Sequence, residues 1–448
     1  MRSRFRFIMA ILVCMLVLVP LAALAQDASP AATAPAGTGV LKIDSGDTAW
    51  LLISTALVML MTPGLALFYG GMVRSKNVLG TIMHSFIAIA LVSVQWILLG
   101  YSLSFGPDIK GIIGNLSWAG LGNVGLTPNA DYAPTVPHLA FMIYQMMFAV
   151  ITPALISGAF AERIKFSSFL IFTLVWTTIV YDPVAHWVWG TGGWMKNLGV
   201  LDFAGGIVVH ATSGFSALAA ALYIGKRKGF LQEHMPPHDL PMTVLGAGLL
   251  WFGWFGFNAG SALSAGSLAT MAFVTTHTAA VSATLTWTFV EWFHRGKPTM
   301  FGAATGAIAG LATITPAAGF VGPISALFIG MAAGVLCYVA LNAKTRFKYD
   351  DSLDAFGVHG VGGALGTIMA GVFASVAINA AGANGLLSGN PKQLAVQAGS
   401  VALVAVYSFV VSTGLFMIID KVMGLRVDAE QETEGLDISQ HGEAGYTH

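Results

Sequence analysis

Charged residues are scarce in this 448-residue chain. They make up 9% of it, whereas about a quarter of the residues in a soluble domain are charged. So few charges cannot cover a water-facing globule of this length. The 21 basic and 21 acidic residues also cancel, which excludes the basic surface that nucleic-acid binding requires. Hydrophobic residues reach 56% and the mean hydropathy is +0.74, so the composition predicts one polytopic domain in a lipid bilayer.

Cysteines and catalytic motifs are also few. Cys14 lies in an N-terminal apolar segment and Cys337 in a later apolar run, so removal of the first leaves no pair for an intrachain disulfide. The sequence contains no P-loop and no G-x-S-x-G nucleophile elbow. We therefore expect no enzyme, no metal site and no cofactor.

The N-terminus is typical of a signal peptide over residues 1–25. Three arginines in the first six residues precede an apolar run over residues 8–19 and an A-x-A-like cleavage site that ends at Ala25. The alternative is an uncleaved first membrane helix. Residues 26–47 are rich in Ala, Pro, Thr and Gly and are predicted to form an extracytoplasmic linker.

Residues 48–424 contain eleven mostly apolar segments of about the length that spans a bilayer. The predicted helices are 48–71, 80–105, 138–161, 167–187, 203–224, 240–260, 268–293, 299–315, 320–342, 354–378 and 394–423. Fourteen Lys and Arg residues fall in the loops on one face and at the C-terminal end, four on the other face, and three in the signal segment. Basic loops face the cytoplasm. This alternation predicts eleven helices, an outside N-terminus and a cytoplasmic C-terminus in the inner membrane.

A short pattern occurs twice in the predicted membrane domain. Asp202 precedes His210 by eight residues, and Asp351 precedes His359 by the same spacing. Each pair opens a helix, the fifth and the tenth, which enter from opposite faces. The pattern predicts an all-α polytopic fold with an inverted repeat of five plus five helices and an additional eleventh helix.

The two histidines are candidate pore residues. Eight residues of helix carry each imidazole about 12 Å into a core about 30 Å thick, so both approach the midplane. Facing imidazoles could pass a small polar molecule or a proton, because one ring nitrogen donates while the other accepts. The alternatives are two helix-packing histidines, or a haem ligated by them or by His84, His186 and His277.

A second candidate group contains aromatic side chains. Phe148, Trp189, Trp254 and Phe257 occur within or just after the third, fourth and sixth helices. Aromatic faces attract cations, and more strongly where water is excluded; the alternative is an interfacial aromatic belt. Ser261 could donate a hydrogen bond at a pore mouth or satisfy its own helix.

Asp202 has two compatible interpretations. A carboxylate at a helix start caps free amide groups, and a negative charge at an outer vestibule would attract a cation. Asp351 has the same two interpretations at the inner face.

Several motifs of this chain resemble those of the Amt/Mep/Rh superfamily of ammonium transporters, specifically its bacterial Amt branch. They are "PGLALFYGGMVRSKNVL", "GAFAERIKF", "LDFAGGIVVH", "GWFGFNAGSA", "GKPTMFGAATGAIAGLATITPAAG", "DAFGVHGVGG" and "GLRVDAEQETEGLDISQHGEAGY". They extend over almost the whole mature chain.

The resemblance implies roles for the residues that match those motifs. Phe148, Trp189 and Ser261 correspond to an outer ammonium recognition site, and Phe148 with Phe257 to a phenylalanine gate. Trp254 corresponds to a pore-lining residue below the gate, and Tyr144 stands where some relatives place another aromatic. His210 and His359 match the twin pore histidines, and Asp202 matches the aspartate near the entrance.

The resemblance also implies a function and partners. Ammonium, or its analogue methylammonium, is expected to bind outside and lose a proton, and ammonia to pass the histidines. The family implies a homotrimer with one pore per subunit and a cytoplasmic PII signal protein as partner. The alternative function is an ammonium receptor that signals through its tail. The tail, residues 425–448, carries six acidic residues and is expected to be ordered beneath neighbouring subunits, opposite basic inner loops that include Lys226, Arg227 and Lys228.

Overall fold

The computed structural model describes residues 41–446 of the chain. The predicted signal peptide and most of the predicted linker lie outside these residues. Within them, ten helices are long and apolar enough to cross a membrane, and an eleventh apolar helix is shorter. In chain order they are α1 Ser45–Met72, α2 Ser75–Phe105, α3 His138–Phe160, α4 Phe166–Leu198, α5 Gly206–Ile224, α6 Leu240–Ala259, α7 Ser267–Arg295, α8 Met300–Ile314, α9 Pro323–Phe347, α10 Phe356–Phe373 and α11 Pro391–Met423. The predicted all-α membrane architecture of eleven helices is confirmed.

Most predicted boundaries differ from the structure by a few residues, and the largest difference is at the end of α4, which reaches Leu198 where the prediction ended at residue 187. Three of the differences have a clear local cause. α1 begins at Ser45, inside the predicted linker, because the Asp44 carboxylate accepts a hydrogen bond from the backbone N–H of Asp47 at 2.9 Å and caps the helix. α9 begins at Pro323 because proline suits the first helical turn, where its missing N–H costs nothing. α10 ends at Phe373, five residues before the predicted end, since Ala374 leaves the helical conformation with ψ of 145°.

The outer loop between α2 and α3 contains two small hairpins that the all-α prediction omitted. The strands are β1 Asp108–Ile109, β2 Ile113–Gly114, β3 Pro128–Asn129 and β4 Ala133–Pro137. Lys110 and Gly111 both have positive φ, at 56° and 75°, and so reverse the chain between β1 and β2. These hairpins shape the outer mouth of the molecule.

α3 is the most buried of the long helices, and it packs mainly against α1, α2 and α5. Five of the membrane helices contain a π-helical turn: α2, α4, α5, α6 and α10. Such turns widen a helix locally and often occur at functional sites. The α5 and α10 turns, Gly206–Ala211 and Phe356–Gly360, contain the two histidines of the repeated pattern.

α5 and α10 cross at a contact that only glycine permits. A Cβ atom on Gly214 would lie 2.0 Å from the backbone nitrogen of Gly360, and one on Gly363 would lie 2.6 Å from Cβ of His210. Small residues at such crossings let two membrane helices approach closely. This contact brings the first turns of the fifth and tenth helices together in the interior.

The C-terminal tail is ordered and lies against the loops of the membrane domain that were predicted to face the cytoplasm. It forms α12, Ala429–Glu434, and a π-helical turn over Asp437–His441. Asn77 accepts a hydrogen bond from the Leu436 N–H at 2.8 Å, and the Asp437 carboxylate accepts from the N–H groups of Leu79 and Gly80. The expected order of the tail is therefore present, whereas its contact with neighbouring subunits stays a prediction.

Of the basic loop residues that were predicted to face the tail, Lys228 contacts the tail and Arg227 contacts the membrane domain. Lys228 contacts the tail as expected, but through its backbone N–H, which donates to Glu432 at 2.7 Å, and through Nζ, which donates to the Thr433 hydroxyl at 2.8 Å, and not through an ion pair. Arg227 instead binds Asp350 at 2.9 Å and Glu162 at 3.3 Å, so it is not a tail contact. The carboxylates of Glu162 and Asp350 are completely buried and therefore need a cation.

Candidate functional site

Four of the predicted site residues meet in one outer pocket. Phe148, Trp189, Asp202 and Ser261 all line it, although they come from α3, α4, the start of α5 and the end of α6. The volume open to a water-sized molecule is about 150 Å³. A small cation with part of its hydration shell therefore fits at this position.

The aromatic wall of the pocket has a defined geometry. The Phe148 and Trp189 rings lie 5.9 Å apart at 89°, an edge-to-face pair. The Trp189 indole N–H donates to the backbone carbonyl of Asp202 at 2.9 Å, which fixes the orientation of the ring. Two π-faces with fixed orientation form a surface that attracts a cation.

Ser261 supplies the polar atom of the pocket. Its hydroxyl lies 2.9 Å from the Phe257 carbonyl, which it donates to, and 3.2 Å from the Tyr144 hydroxyl. Tyr144 itself does not line the pocket. Its hydroxyl donates to the carbonyls of Gly256 and Phe257 at 2.9 Å and so supports the π-helical turn below Ser261.

Two phenylalanine rings separate the outer pocket from an inner cavity. Phe148 lines the pocket and Phe257 lines the cavity, and their ring centroids lie 4.3 Å apart at 33°. Both side chains are almost completely buried. Stacked rings at this distance leave no continuous water column, so passage requires their displacement.

The inner cavity holds the two histidines of the repeated pattern. The Nδ1 atoms of His210 and His359 lie 3.2 Å apart, and the rings are nearly parallel at 13°. The volume open to a water-sized molecule is only about 10 Å³, about enough for one such molecule. The other lining side chains are mostly apolar, among them Met61, Leu65 and Ile151.

One nitrogen of this pair is available to a small ligand. Nε2 of His210 is buried and has no hydrogen-bond partner among residues 41–446. Trp254 stacks on the same imidazole with centroids 5.6 Å apart, and its indole N–H donates to Thr315 at 3.0 Å. A buried polar atom without a partner is costly, so a ligand that hydrogen-bonds there is favoured.

Both aspartates of the repeated pattern anchor helix starts. The carboxylate of Asp202 accepts four backbone N–H bonds, from Gly205, Gly206, Ile207 and Val208, at 2.6 to 3.1 Å. Burial raises the pKa of Asp202, and these donors oppose the rise. Asp351 accepts from the N–H groups of Ala355 and Phe356, and burial, with Asp354 nearby, raises its pKa to about 6. The anchoring role follows directly from this geometry.

The geometry of the other histidines bears on the haem alternative. His210 and His359 contact each other directly, whereas axial haem ligands lie on opposite sides of an iron atom. His84 packs against Phe169 with ring centroids 4.4 Å apart, and His186 is hydrogen-bonded on both ring nitrogens. This arrangement does not favour haem ligation.

Eight residues that line the outer pocket were not predicted from the sequence. They are Phe105, Asp131, Tyr132, Phe141, Gln145, Lys196, Phe203 and Leu263. Lys196 is the most unexpected, because a cation lines a pocket suited to cations. Its Nζ donates to the Trp189 carbonyl at 3.0 Å and lies 5.6 Å from the Tyr132 ring centroid. No sequence signal indicated this position, because a non-helical turn at residues 190–193 separates Trp189 from the short helix that carries Lys196.

Comparison with known proteins identifies the family of this chain. The model of the Ammonium Transporter Family matches residues 49–446. The chain belongs to the ammonium transporter family. It is 52% identical to the ammonium transporter of Bacillus subtilis over 402 residues. The alignment covers 90% of this chain and 98% of that protein.

Solved structures of the family have the same fold. The crystal structure of Candida albicans Mep2 matches with a TM-score of 0.83 at 36% identity, over 90% of this chain and 91% of that one. A structure described as a sensor Amt protein matches with a TM-score of 0.81 at 30% identity, over 88% of this chain and 98% of that one. The fold of this chain is therefore that of the ammonium transporter family, a transport family and not an enzyme class.

Proposed function

We propose that this protein conducts ammonium across the membrane as ammonia, through the outer pocket, the phenylalanine gate and the histidine cavity. The observation that carries the proposal is the unpartnered Nε2 of His210 in an otherwise apolar cavity directly below two stacked phenylalanines. A dry passage with a single set of polar atoms suits a small neutral molecule.

Recognition takes place in the outer pocket. Ammonium contacts the faces of Phe148 and Trp189 through cation–π interactions and donates a hydrogen bond to Ser261. Asp202 adds a negative charge to the vestibule while it holds the start of α5. Methylammonium, which keeps the charge and most of the donors, binds in the same way.

The ammonium ion gives its proton to water in the outer pocket before ammonia passes the gate. An ion in the hydrocarbon region is costly, and below the gate the cavity offers two imidazoles and no counter-charge. Ammonia crosses when the rings of Phe148 and Phe257 move apart. It then donates to or accepts from the imidazoles, since each neutral ring has one donor and one acceptor nitrogen.

The family and the charge pattern support further features. We infer a homotrimer with one pore per subunit, in the cell's inner membrane, with the mature N-terminus outside and the C-terminus in the cytoplasm. The ordered tail, packed on Asn77 and Gly80, is a suitable docking surface for a cytoplasmic PII signal protein.

Flux through pure protein tests the function. Proteoliposomes that contain the purified chain should take up methylammonium or respond to an ammonium gradient well above empty liposomes. The variant Phe257→Trp, which fills the gate with a larger ring, should lower that flux. Equal flux in protein-containing and empty liposomes would contradict the proposal.

The second candidate function is ammonium sensing. The likeness to the sensor Amt protein, at 30% identity, supports it. The tail folds onto the inner loops, so a signal would pass to a partner that contacts the tail. Binding of ammonium without flux, together with a change in tail exposure, would favour sensing over transport.

A further inference from the structure

A polar cluster between α2 and α4 lies apart from the outer pocket and the histidine cavity. Its centre is the carboxylate of Asp182, which is completely buried. The Gln95 side-chain amide donates to Oδ2 of Asp182 at 2.7 Å, and the Ser104 hydroxyl lies 3.3 Å from Oδ1. Among residues 41–446, no basic side chain forms an ion pair with Asp182. The carboxylate therefore depends on two neutral donors.

Ionisation of the Asp182 carboxyl group at this buried position costs free energy. An ionised carboxylate within a membrane domain costs several kcal/mol unless a cation or several hydrogen bonds compensate it. Two neighbouring polar atoms, Oε1 of Gln95 and the hydroxyl of Tyr181, are buried and have no partner among residues 41–446. Gln95 is 5% exposed and Tyr181 is completely buried. The cluster thus lacks one or more hydrogen bonds in the form that the structure records.

The backbone next to Gln95 and Asp182 departs from regular α-helix. A π-helical turn, Trp96–Gly100, begins directly after Gln95, and another, Thr177–Tyr181, ends directly before Asp182. A Cβ atom on Gly100 would lie 2.6 Å from Oε1 and 2.9 Å from Nε2 of Gln95. The glycine thus leaves room for the amide group. Paired π-helical turns and this space together indicate a site at which the amide can reorient.

We propose that Asp182 is a proton-binding site and that the Gln95 amide adapts to both forms of its carboxyl group. In the ionised form the amide NH₂ donates to Oδ2, as observed. A proton from the outer solution then adds to Oδ2. A half-turn of the amide places Oε1 opposite the new O–H, which donates to it. The Thr178 hydroxyl now accepts from Nε2 at 3.2 Å and donates to the Leu174 carbonyl at 3.0 Å, and it turns its O–H from Leu174 to the reoriented Oε1.

Hydrogen bonds approach this site from the side of Asp108 but do not form a continuous path, because the Ser104 hydroxyl faces Asp182 whereas the Ser104 backbone carbonyl accepts from His186. His186 lies 3.0 Å from the Ser104 carbonyl through Nδ1 and 2.8 Å from Asp108 through Nε2. The Asp108 side chain is 29% exposed. Four titratable groups surround Asp182. They are Tyr181 and His186 on α4, Asp108 after α2, and Asp202, which interacts electrostatically with Tyr181. The proton enters from the side of Asp108, because that side chain is partly exposed whereas Tyr181, His186 and Asp202 are buried.

Infrared difference spectroscopy of the full-length protein in lipid tests this proposal. Spectra recorded between alkaline and acidic buffer should contain a carboxylic acid C=O band from a buried, hydrogen-bonded group. Asp182→Asn should lose that band, whereas Asp202→Asn should keep it. Difference spectra that are identical in the wild type and Asp182→Asn would overturn the proposal, as would a band that is lost in Asp202→Asn instead.

Two further variants keep the carboxyl group and test its partner. Gln95→Leu removes the amide, and Gly100→Ala brings a methyl group against it. Both should shift the C=O band in the direction of weaker hydrogen bonding without loss of its intensity. An unchanged band position in both would overturn the role of Gln95. A band that responds to sodium or ammonium at fixed pH, and not to pH, would replace the proton by a bound cation. Because this readout does not depend on flux, it is independent of the proposed transport function.

Discussion

His210 and His359 come from helices five positions apart in the chain, yet their Nδ1 atoms lie 3.2 Å from each other in the membrane interior. The contact requires the glycine crossing of α5 and α10, and it leaves Nε2 of His210 without a partner among residues 41–446. Each histidine follows an aspartate whose carboxylate holds the start of its helix. The same local arrangement, a carboxylate that accepts backbone N–H groups at a helix start, thus occurs twice and positions both imidazoles.

Replacement of Trp189 by leucine should weaken recognition of the cation. The variant keeps an apolar side chain but removes the aromatic face. A cation–π interaction contributes roughly 0.5–2 kcal/mol, which corresponds to a loss of apparent affinity of up to about thirtyfold. Methylammonium competition over a concentration series measures this change. Wild-type affinity in the variant would assign Trp189 to an interfacial belt.

Replacement of Lys196 by methionine should strengthen ammonium binding at low ionic strength. Lys196 places a positive charge on the wall of the pocket, beside the carbonyl of Trp189. Removal of a nearby like charge is worth about 0.5–1 kcal/mol, or roughly a two- to fivefold gain in apparent affinity. The gain should fall as salt is added, because salt screens the charge.

Lys196→Arg is the matched control, since it keeps the charge and can still donate to the Trp189 carbonyl. We expect it to behave like the wild type at every salt concentration. An equal effect of methionine and arginine would show that the shape of the lysine matters and its charge does not.

Replacement of Glu162 by glutamine should destabilise the protein in a pH-dependent way. Burial raises the pKa of Glu162, but the charges of Arg227 and Arg74 and the hydrogen bonds from Arg74 outweigh burial, so the pKa is below its usual value. A lowered pKa in the folded state contributes stability above the unfolded value of about 4.3, and that stability is lost as pH falls through the folded value.

Thermal unfolding in detergent checks this prediction. At neutral pH the variant should be less stable by about 1.5–3 kcal/mol, the range for hydrogen bonds to charged groups. The difference between wild type and variant should shrink in acid, where the wild-type carboxyl also becomes neutral. A difference that stays constant down to strongly acidic pH would contradict the assignment.

Deletion of the residues after Met423 should leave the pore folded but lower activity. The tail contacts the inner end of α2 through Leu436 and Asp437, so its removal frees the N–H groups of Leu79 and Gly80. Flux, trimer stability and inhibition by a PII protein are the readouts. If all three match the full-length protein, the tail is only a solvated end. Asp437→Asn, which removes the charge and keeps the length, is the milder control.

Hydropathy and loop charge were sufficient to predict the eleven helices, because the bilayer demands long apolar segments and basic inner loops. The equal Asp-to-His spacing correctly singled out the helix starts that hold His210 and His359. Spacing cannot give the distance between two helices, so the direct contact of the imidazoles became visible only through the crossing at Gly214 and Gly363.

Other features depend on contacts far apart in the chain. Lys196 resembles an ordinary solvated loop residue until the fold places it beside Trp189. Arg227 was expected to face the tail because both the tail and its loop lie on the inner side. It binds Asp350 and Glu162 instead, since the Glu162 carboxylate is completely buried and requires a cation.

Ammonium-evoked current in proteoliposomes tests the role of the histidine pair most directly. The comparison is between the wild type and the double variant His210→Ala with His359→Ala, each challenged with ammonium and with potassium. The account predicts that the variant loses the ammonium-driven current or conducts potassium as well, because the polar atoms that hold ammonia in a dry cavity are gone. A variant with the same ammonium current and the same discrimination against potassium as the wild type would contradict it.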